Sequence, residues 1–314
     1  MRLHPAALLL ALVVAPTLAP AQALAPRPVP TEGIQAFHLR SPATGVTYEV
    51  LVATPPSYAA SPTRRYPLMV VTDGFRTFFP MVDAVRALAS SQVAPEMLVV
   101  SVGTPQEDGD DAWVRRRVYE FSPPGWARTD PFGTIVTAAC QRVGSAPDRC
   151  TGGAPAFLGA IVNEVLPQIT RQYRVDPNDL ALFGVSAGGF FASWAMFQPS
   201  SPFHKYIISS GAMAYGDGEV FRAEAAWGAS HTDFPKGVYL SVGSLEADDP
   251  FLEGAGRIVS GTARLAAALR GRNYPGLSMT METLPGLGHS DAAPTAMVRG
   301  IRSLYKAPPP AGGR

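Results

Sequence analysis

What most limits the fold of this chain is a set of short runs built mainly of apolar residues. Pro67–Val71, Met97–Val102, Leu180–Val185, Lys205–Ser209 and Gly237–Val242 do not alternate with polar residues as a half-wet strand does. Between them lie stretches with helical spacing, around 78–90, 156–173, 187–197, 257–270 and 294–305, and a last strand is expected over 277–284. Continuous apolar strands alternating with helices predict an α/β domain with a mostly parallel central sheet and helices on both faces. The earlier stretch FHLRSPATGVTYEVLVATP alternates apolar and polar residues, which predicts an antiparallel hairpin or edge strand. Residues 103 to 154, rich in charge, Pro and Gly, read as a loop-rich region. Apolar residues make up 46% of the 314 positions, enough for one large core.

Ligands of such sheets bind at the carboxyl ends of the strands. At one of those ends stands Gly184-Val185-Ser186-Ala187-Gly188, between an apolar strand and an apolar helix. That pattern is expected to form a strand-to-helix turn too tight for side chains at its flanks, with the serine hydroxyl held out at the sheet's edge. A serine hydroxyl becomes an effective nucleophile only when a base takes its proton, and a carboxylate normally orients that base.

Of the five histidines, His4 lies in the leader, His38 in the early edge strand, His204 at the start of a strand and His231 in a polar loop. His289, in LPGLGHSDAAP between the last strand and the last helix, is the expected base. The acid is expected between serine and histidine in chain order, just after the strand at 237–242. Glu246 is the leading candidate and Asp248 the alternative. The two N–H groups of an oxyanion hole are expected from Ala187, directly after the serine, and from Phe75, in the turn after the first central strand. Trp113, Arg115, Arg116, Arg117, Tyr119, Phe121 and Trp126 mix aromatics with positive charge. They read either as a substrate-facing rim or as a solvated basic turn with hydrophobic anchors.

The first 25 residues, with Arg2, an apolar run from Ala6 to Ala15 and small residues over 21–25, read as a secretory signal peptide cleaved after Ala23 or Ala25. The apolar run is too short for a permanent membrane anchor, so no stable insertion is expected after cleavage. In an exported chain the two cysteines, Cys140 and Cys150, are expected to form one disulfide closing a short loop. Residues 307–314 read as a disordered tail. A net charge of +1 offers no field for nucleic acid, which leaves small molecules as the expected partners.

Together, VTDG, VLPQITRQYRVDPNDLALFGVSAGG, KYIISSG, YLSVGSLE and LPGLGHSDAAPTAMVRGIRSLY resemble the putative-esterase branch of the α/β-hydrolase superfamily. That branch includes enterobactin-type trilactone esterases and is related to feruloyl esterases and S-formylglutathione hydrolases. The resemblance implies an α/β-hydrolase domain over residues 26–306 that uses no cofactor and no metal. It also implies a periplasmic or secreted serine hydrolase cleaving carboxylic esters through an acyl-enzyme, with siderophore lactones or aromatic and short-acyl esters as substrates. Ser186 matches the nucleophile of the branch and His289 its base. Glu246 falls where related esterases carry an acid, while some trilactone esterases work as Ser-His dyads. Two departures stand out: Ser290-Asp291 follow the histidine where Gly-Ser is usual, and the segment 103–154 is longer and carries the cysteine pair. This longer segment is expected to form a lid or wall over the serine. The competing expectation is a catalytically idle member of the fold that binds a ligand in the cell envelope.

Overall fold

The computed structural model describes residues 31–305, so the leader reading of 1–25 and the tail reading of 307–314 fall outside the described residues. A single eight-stranded sheet organises them. Its strands are β1 (Ile34–Arg40), β2 (Thr47–Ala53), β3 (Tyr66–Val71), β4 (Leu98–Gly103), β5 (Val175–Val185), β6 (Lys205–Ser209), β7 (Gly237–Gly243) and β8 (Ser278–Leu284), in the order β1-β2-β4-β3-β5-β6-β7-β8. The β1–β2 and β2–β4 pairs are antiparallel and all the others parallel, which is the α/β-hydrolase arrangement.

Why the central strands read as unbroken apolar runs is visible in the packing. Leu68, Val70, Leu98, Val100 and Leu182 point into one core, while their neighbours Met69, Val71, Val99, Ala181 and Phe183 point into the other. Two helices, α1 (Phe75–Ser90) and α9 (His289–Leu304), cover the second face, with Phe78, Met81, Met297 and Ile301 buried against it. The first face is covered mainly by α6 (Ala187–Ala195), α8 (Ile258–Arg272) and a long helix over 154–172. That long helix is α4 (Ala154–Ala160) and α5 (Leu166–Gln172), joined by a π-helical turn at Ile161–Val165.

Segment 103–154 departs from the loop-rich expectation. It holds two twelve-residue helices, α2 (Gly109–Glu120) and α3 (Pro131–Arg142). Only Val118 and Glu120 of α2 are buried, so its sequence carries almost no apolar period. Its helicity is supported by one ion pair within the helix, Arg116 with Glu120 at 3.0 Å, and by one tertiary pair, Arg117 with Asp73 at 2.6 Å. By contrast α3 begins on a clear local signal, Asp130 accepting from the Gly133 N–H with Pro131 at the first helical position. Cys140 and Cys150 are joined in a disulfide that fastens the end of α3 to the chain ten residues on. A further helix, α7 (Tyr215–Ser230), follows β6, where the sequence pattern signals none. Gly216, Asp217 and Gly218 at its start have positive φ and interrupt the helical period.

Candidate active site

The turn after β5 carries Ser186 at φ 58°, ψ −119°, a conformation costly for any residue with a Cβ. Glycine is required around it because the backbone doubles back on itself. A Cβ on Gly184 would lie 2.0 Å from the Gly188 carbonyl oxygen, and one on Gly188 would lie 2.6 Å from Thr72 Oγ1. Hydrogen bonds to the end of β6 hold the turn, with Ser186 N donating to Ser209 O at 3.0 Å and Ala212 N to Ser186 O at 3.0 Å.

A second turn of the same shape lies beside it. Gly74, between β3 and α1, has φ 58° and ψ −131°, and Asp73 before it also has positive φ, 67°. Phe75 and Ala187 are each the first residue of a helix, α1 and α6 respectively. An N–H in that position has no carbonyl one turn back to bind, and it lies at the positive end of the helix dipole. Since β3 and β5 are neighbouring parallel strands, paired Val71 to Phe183, both helix starts come to the same edge of the sheet. The Phe75 side chain itself is 41% exposed and lines a groove of about 670 Å³ with Arg76, Phe79, Gln106 and Trp113.

The loop after β7 and the loop after β8 are pressed together. A Cβ on Gly243 would lie 2.4 Å from Leu287 O; Leu245 N donates to Leu287 O at 3.0 Å, and Gly286 N donates to Ser244 Oγ at 2.8 Å. Asp291 accepts from Gly288 N at 2.7 Å, starting α9 with His289 as its first residue. The helix therefore begins at 289, five residues before the sequence period suggests. His289 Nδ1 meets Glu246 Oε1 at 2.5 Å. Glu246 is fully buried, and its other oxygen accepts from Gly243 N at 2.6 Å and Ser210 Oγ at 2.9 Å. Asp248, the alternative acid, is exposed to solvent.

This pairing leaves His289 Nε2 for the cavity. A space of about 430 Å³ is lined by Ser186, His289, Asp73, Trp113, Arg117 and Met297, among others. Among the described residues no direct hydrogen bond joins Ser186 Oγ to the imidazole; in unliganded sites such contacts are commonly long and tighten when substrate arrives. The other described histidines lie elsewhere. His204 is exposed, His231 stacks on Trp227 at 3.8 Å, and His38 pairs with Glu107 at 3.2 Å. His38, Glu49 and Glu107 bring potential ligand atoms within 4.8 Å of one another, but none of the three lines either cavity. Burial, then the nearby Glu107, pushes the Glu49 carboxyl above its ordinary range.

Of the mixed aromatic and basic residues, only Trp113 and Arg117 reach the serine cavity. Phe121 and Trp126 are buried in the core, Arg115 donates to Val143 O at 2.8 Å, and Arg116 binds Glu120 and lies over the Tyr48 ring. Arg149 lies over Tyr119 at 5.6 Å, which makes that part of the segment a structural anchor. Two residues that sequence reasoning missed belong to the site's framework. Ser210, the second serine of KYIISSG, holds the buried acid, and Asp73 binds Arg117. The positive φ of Ser210, 49°, has no signature in the sequence, whereas Asp73-Gly74 is a visible turn signal.

No family model matches the chain. A siderophore triacetylfusarinine C esterase of Aspergillus fumigatus is 31% identical over 189 residues, 59% of this chain and 58% of that protein, so the match spans less than two thirds of its length. A ferri-bacillibactin esterase, BesA, of Bacillus subtilis is 22% identical over 266 residues, 82% of this chain and 84% of that protein. Among solved structures, the BES protein from Bacillus cereus superposes with a TM-score of 0.73 at 25% identity, covering 90% of this chain and 99% of that one. The fold is that of the α/β-hydrolases, and in sequence the chain is similar to these esterases.

Proposed function

We propose that the chain is a serine esterase that cleaves carboxylic esters through an acyl-enzyme, and that it acts outside the cytoplasm. One observation carries the reading: a fully buried carboxylate, Glu246, grips His289 Nδ1 and leaves the other ring nitrogen toward the cavity that also holds Ser186. In this reading Ser186 Oγ attacks the ester carbonyl while His289 Nε2 takes its proton. The developing oxyanion is met by the N–H groups of Phe75 and Ala187. The tetrahedral intermediate collapses, and the departing alcohol takes the proton from His289. Water then attacks the acyl-serine by the same steps and releases the acid. Neither metal nor organic cofactor is needed for this sequence.

Support for the substrate class comes from the relatives, one named a siderophore triacetylfusarinine C esterase and the other a ferri-bacillibactin esterase. The groove beside the serine, walled by Phe75, Phe79 and Trp113 with Arg76, suits a siderophore lactone or an aromatic ester as well as a short acyl chain. Segment 103–154 supplies Trp113 and Arg117 to the site wall and acts as its lid-like insertion. The leader reading of residues 1–25 and the paired cysteines support export to the periplasm or beyond.

The test is turnover of p-nitrophenyl acetate, with intact mass after treatment with a fluorophosphonate. We expect one adduct, on Ser186. Ser186→Ala is expected to abolish both labelling and turnover while the fold survives; a variant that still hydrolyses the ester would remove the reading.

A further inference from the structure

We infer that Arg117, although it belongs to the 103–154 segment, is a positioning residue that sets the spacing of the two oxyanion-hole N–H groups. Its guanidinium spans the gap between the two turns that present them. Nε donates to Asp73 Oδ1 at 2.6 Å, and Nη2 donates to Val185 O at 3.2 Å while lying 3.4 Å from Asp73 Oδ2. Asp73 stands two residues before Phe75, and Val185 two residues before Ala187. One planar cation therefore ties the chain ahead of one donor to the chain ahead of the other.

Three further observations give this tie its importance. Both turns are strained, with positive φ at Asp73, Gly74 and Ser186, and such conformations persist only where surrounding contacts hold them. The Asp73 side chain is 3% exposed and that of Arg117 18%, so little water competes for the bonds. The guanidinium is also fixed from the side, with its carbon 5.2 Å from the Trp113 ring centre and 5.6 Å from that of Phe121. A rigid planar fork of this shape sets a carboxylate and a carbonyl at a fixed spacing, whereas a lysine ammonium is a point charge with rotatable donors that fixes no such spacing. Docking of α2 on the sheet thereby becomes a condition for an aligned oxyanion site. The inference rests on the acyl-transfer reading of Ser186 given above.

The experiment compares the wild-type chain with Arg117→Ala, Arg117→Lys and Ser186→Ala, using p-nitrophenyl acetate turnover, the rate of fluorophosphonate labelling and thermal unfolding. For Arg117→Ala we expect kcat and the labelling rate to fall together by about 10- to 100-fold, somewhat less than the loss of an oxyanion donor itself. KM should change by less than about threefold, since ground-state binding does not use the tie. Millimolar guanidinium chloride should restore part of the lost kcat to Arg117→Ala and none to Ser186→Ala. Should Arg117→Ala not fold, Arg117→Lys is to show lowered kcat at near-normal KM. If both arginine variants fold and keep kcat within twofold of wild type, or if kcat falls with no guanidinium rescue and in proportion to the unfolded fraction, Arg117 is only a structural residue. Turnover retained by Ser186→Ala would instead defeat the underlying site reading, an outcome separable from the others.

Discussion

At the scale of single residues, the site depends on how completely one carboxylate is satisfied. Glu246 is fully buried and takes bonds from His289, Gly243 and Ser210, so its charge is held by three donors in a place water does not reach. Glu246→Gln keeps the shape and removes the charge that stabilises a protonated imidazole. We expect kcat for p-nitrophenyl acetate to fall by about 10²- to 10⁴-fold, as when the orienting acid of a triad is made neutral. Ser210→Ala leaves the Oε2 atom with the Gly243 N–H alone. Its expected cost is about 1–2 kcal/mol of stability in urea titrations, with kcat lowered less than tenfold. A kcat loss for Ser210→Ala as large as that for Glu246→Gln would mean that the acid cannot orient His289 without this bond. Glu246 and His289 were legible in the sequence from chain order and from their places after β7 and β8. Ser210 was not, because a serine ending a strand looks the same whether or not an acid has folded against it.

At the scale of elements, the strands and the elbow obey local rules, while α2 and α7 do not. The Gly184–Gly188 turn is dictated by sterics that any reader of the chain can apply. Gly184→Ala would place a methyl 2.0 Å from a backbone oxygen, and we expect it to yield little folded protein, measured as soluble yield and circular dichroism. Helix α2 is different, since its polar sequence GDDAWVRRRVYE has no apolar stripe and depends on the pair of Arg117 with the distant Asp73, beside the i,i+4 pair of Arg116 with Glu120. Helix α3 is tethered by the Cys140–Cys150 bridge, which spans a sequence separation of ten. Replacing both cysteines by serine should cost about 2–3 kcal/mol by the loop-entropy relation, read as a lower urea midpoint that matches reduced wild type. Serine variants as stable as the oxidised wild type would show that the bridge contributes nothing to folding.

At the scale of the whole molecule, burial sets the response to alkali. Burial pulls the Lys236 ammonium down to about 8, in a setting where it donates to Phe203 O at 2.9 Å near the Tyr206 and Phe234 rings. Between pH 8 and its ordinary value the unfolded chain holds this proton and the folded chain does not, so the Lys236 contribution to stability rises with pH. Below pH 8 the fold carries the charged amine at a cost. Buried tyrosines such as Tyr206, raised by burial, act in the opposite sense, and only above pH 10. Lys236→Met should therefore be relatively most stable near neutrality, with its advantage over wild type shrinking from pH 8 to 10 in thermal melts. A difference that stays flat across that range would rule out this titration. The sequence by itself determined the doubly covered parallel sheet, the glycine-bound turn at Ser186 and the order serine, acid, histidine. Each follows from local sterics or from the period of apolar residues along one strand or helix. Only the tertiary structure decided that Glu246 is buried while Asp248 faces water, that α2 is a helix, and that Arg117 reaches Asp73 and Val185. Those outcomes depend on contacts between residues 43 to 68 positions apart, and such contacts leave no mark on the short stretches around either partner.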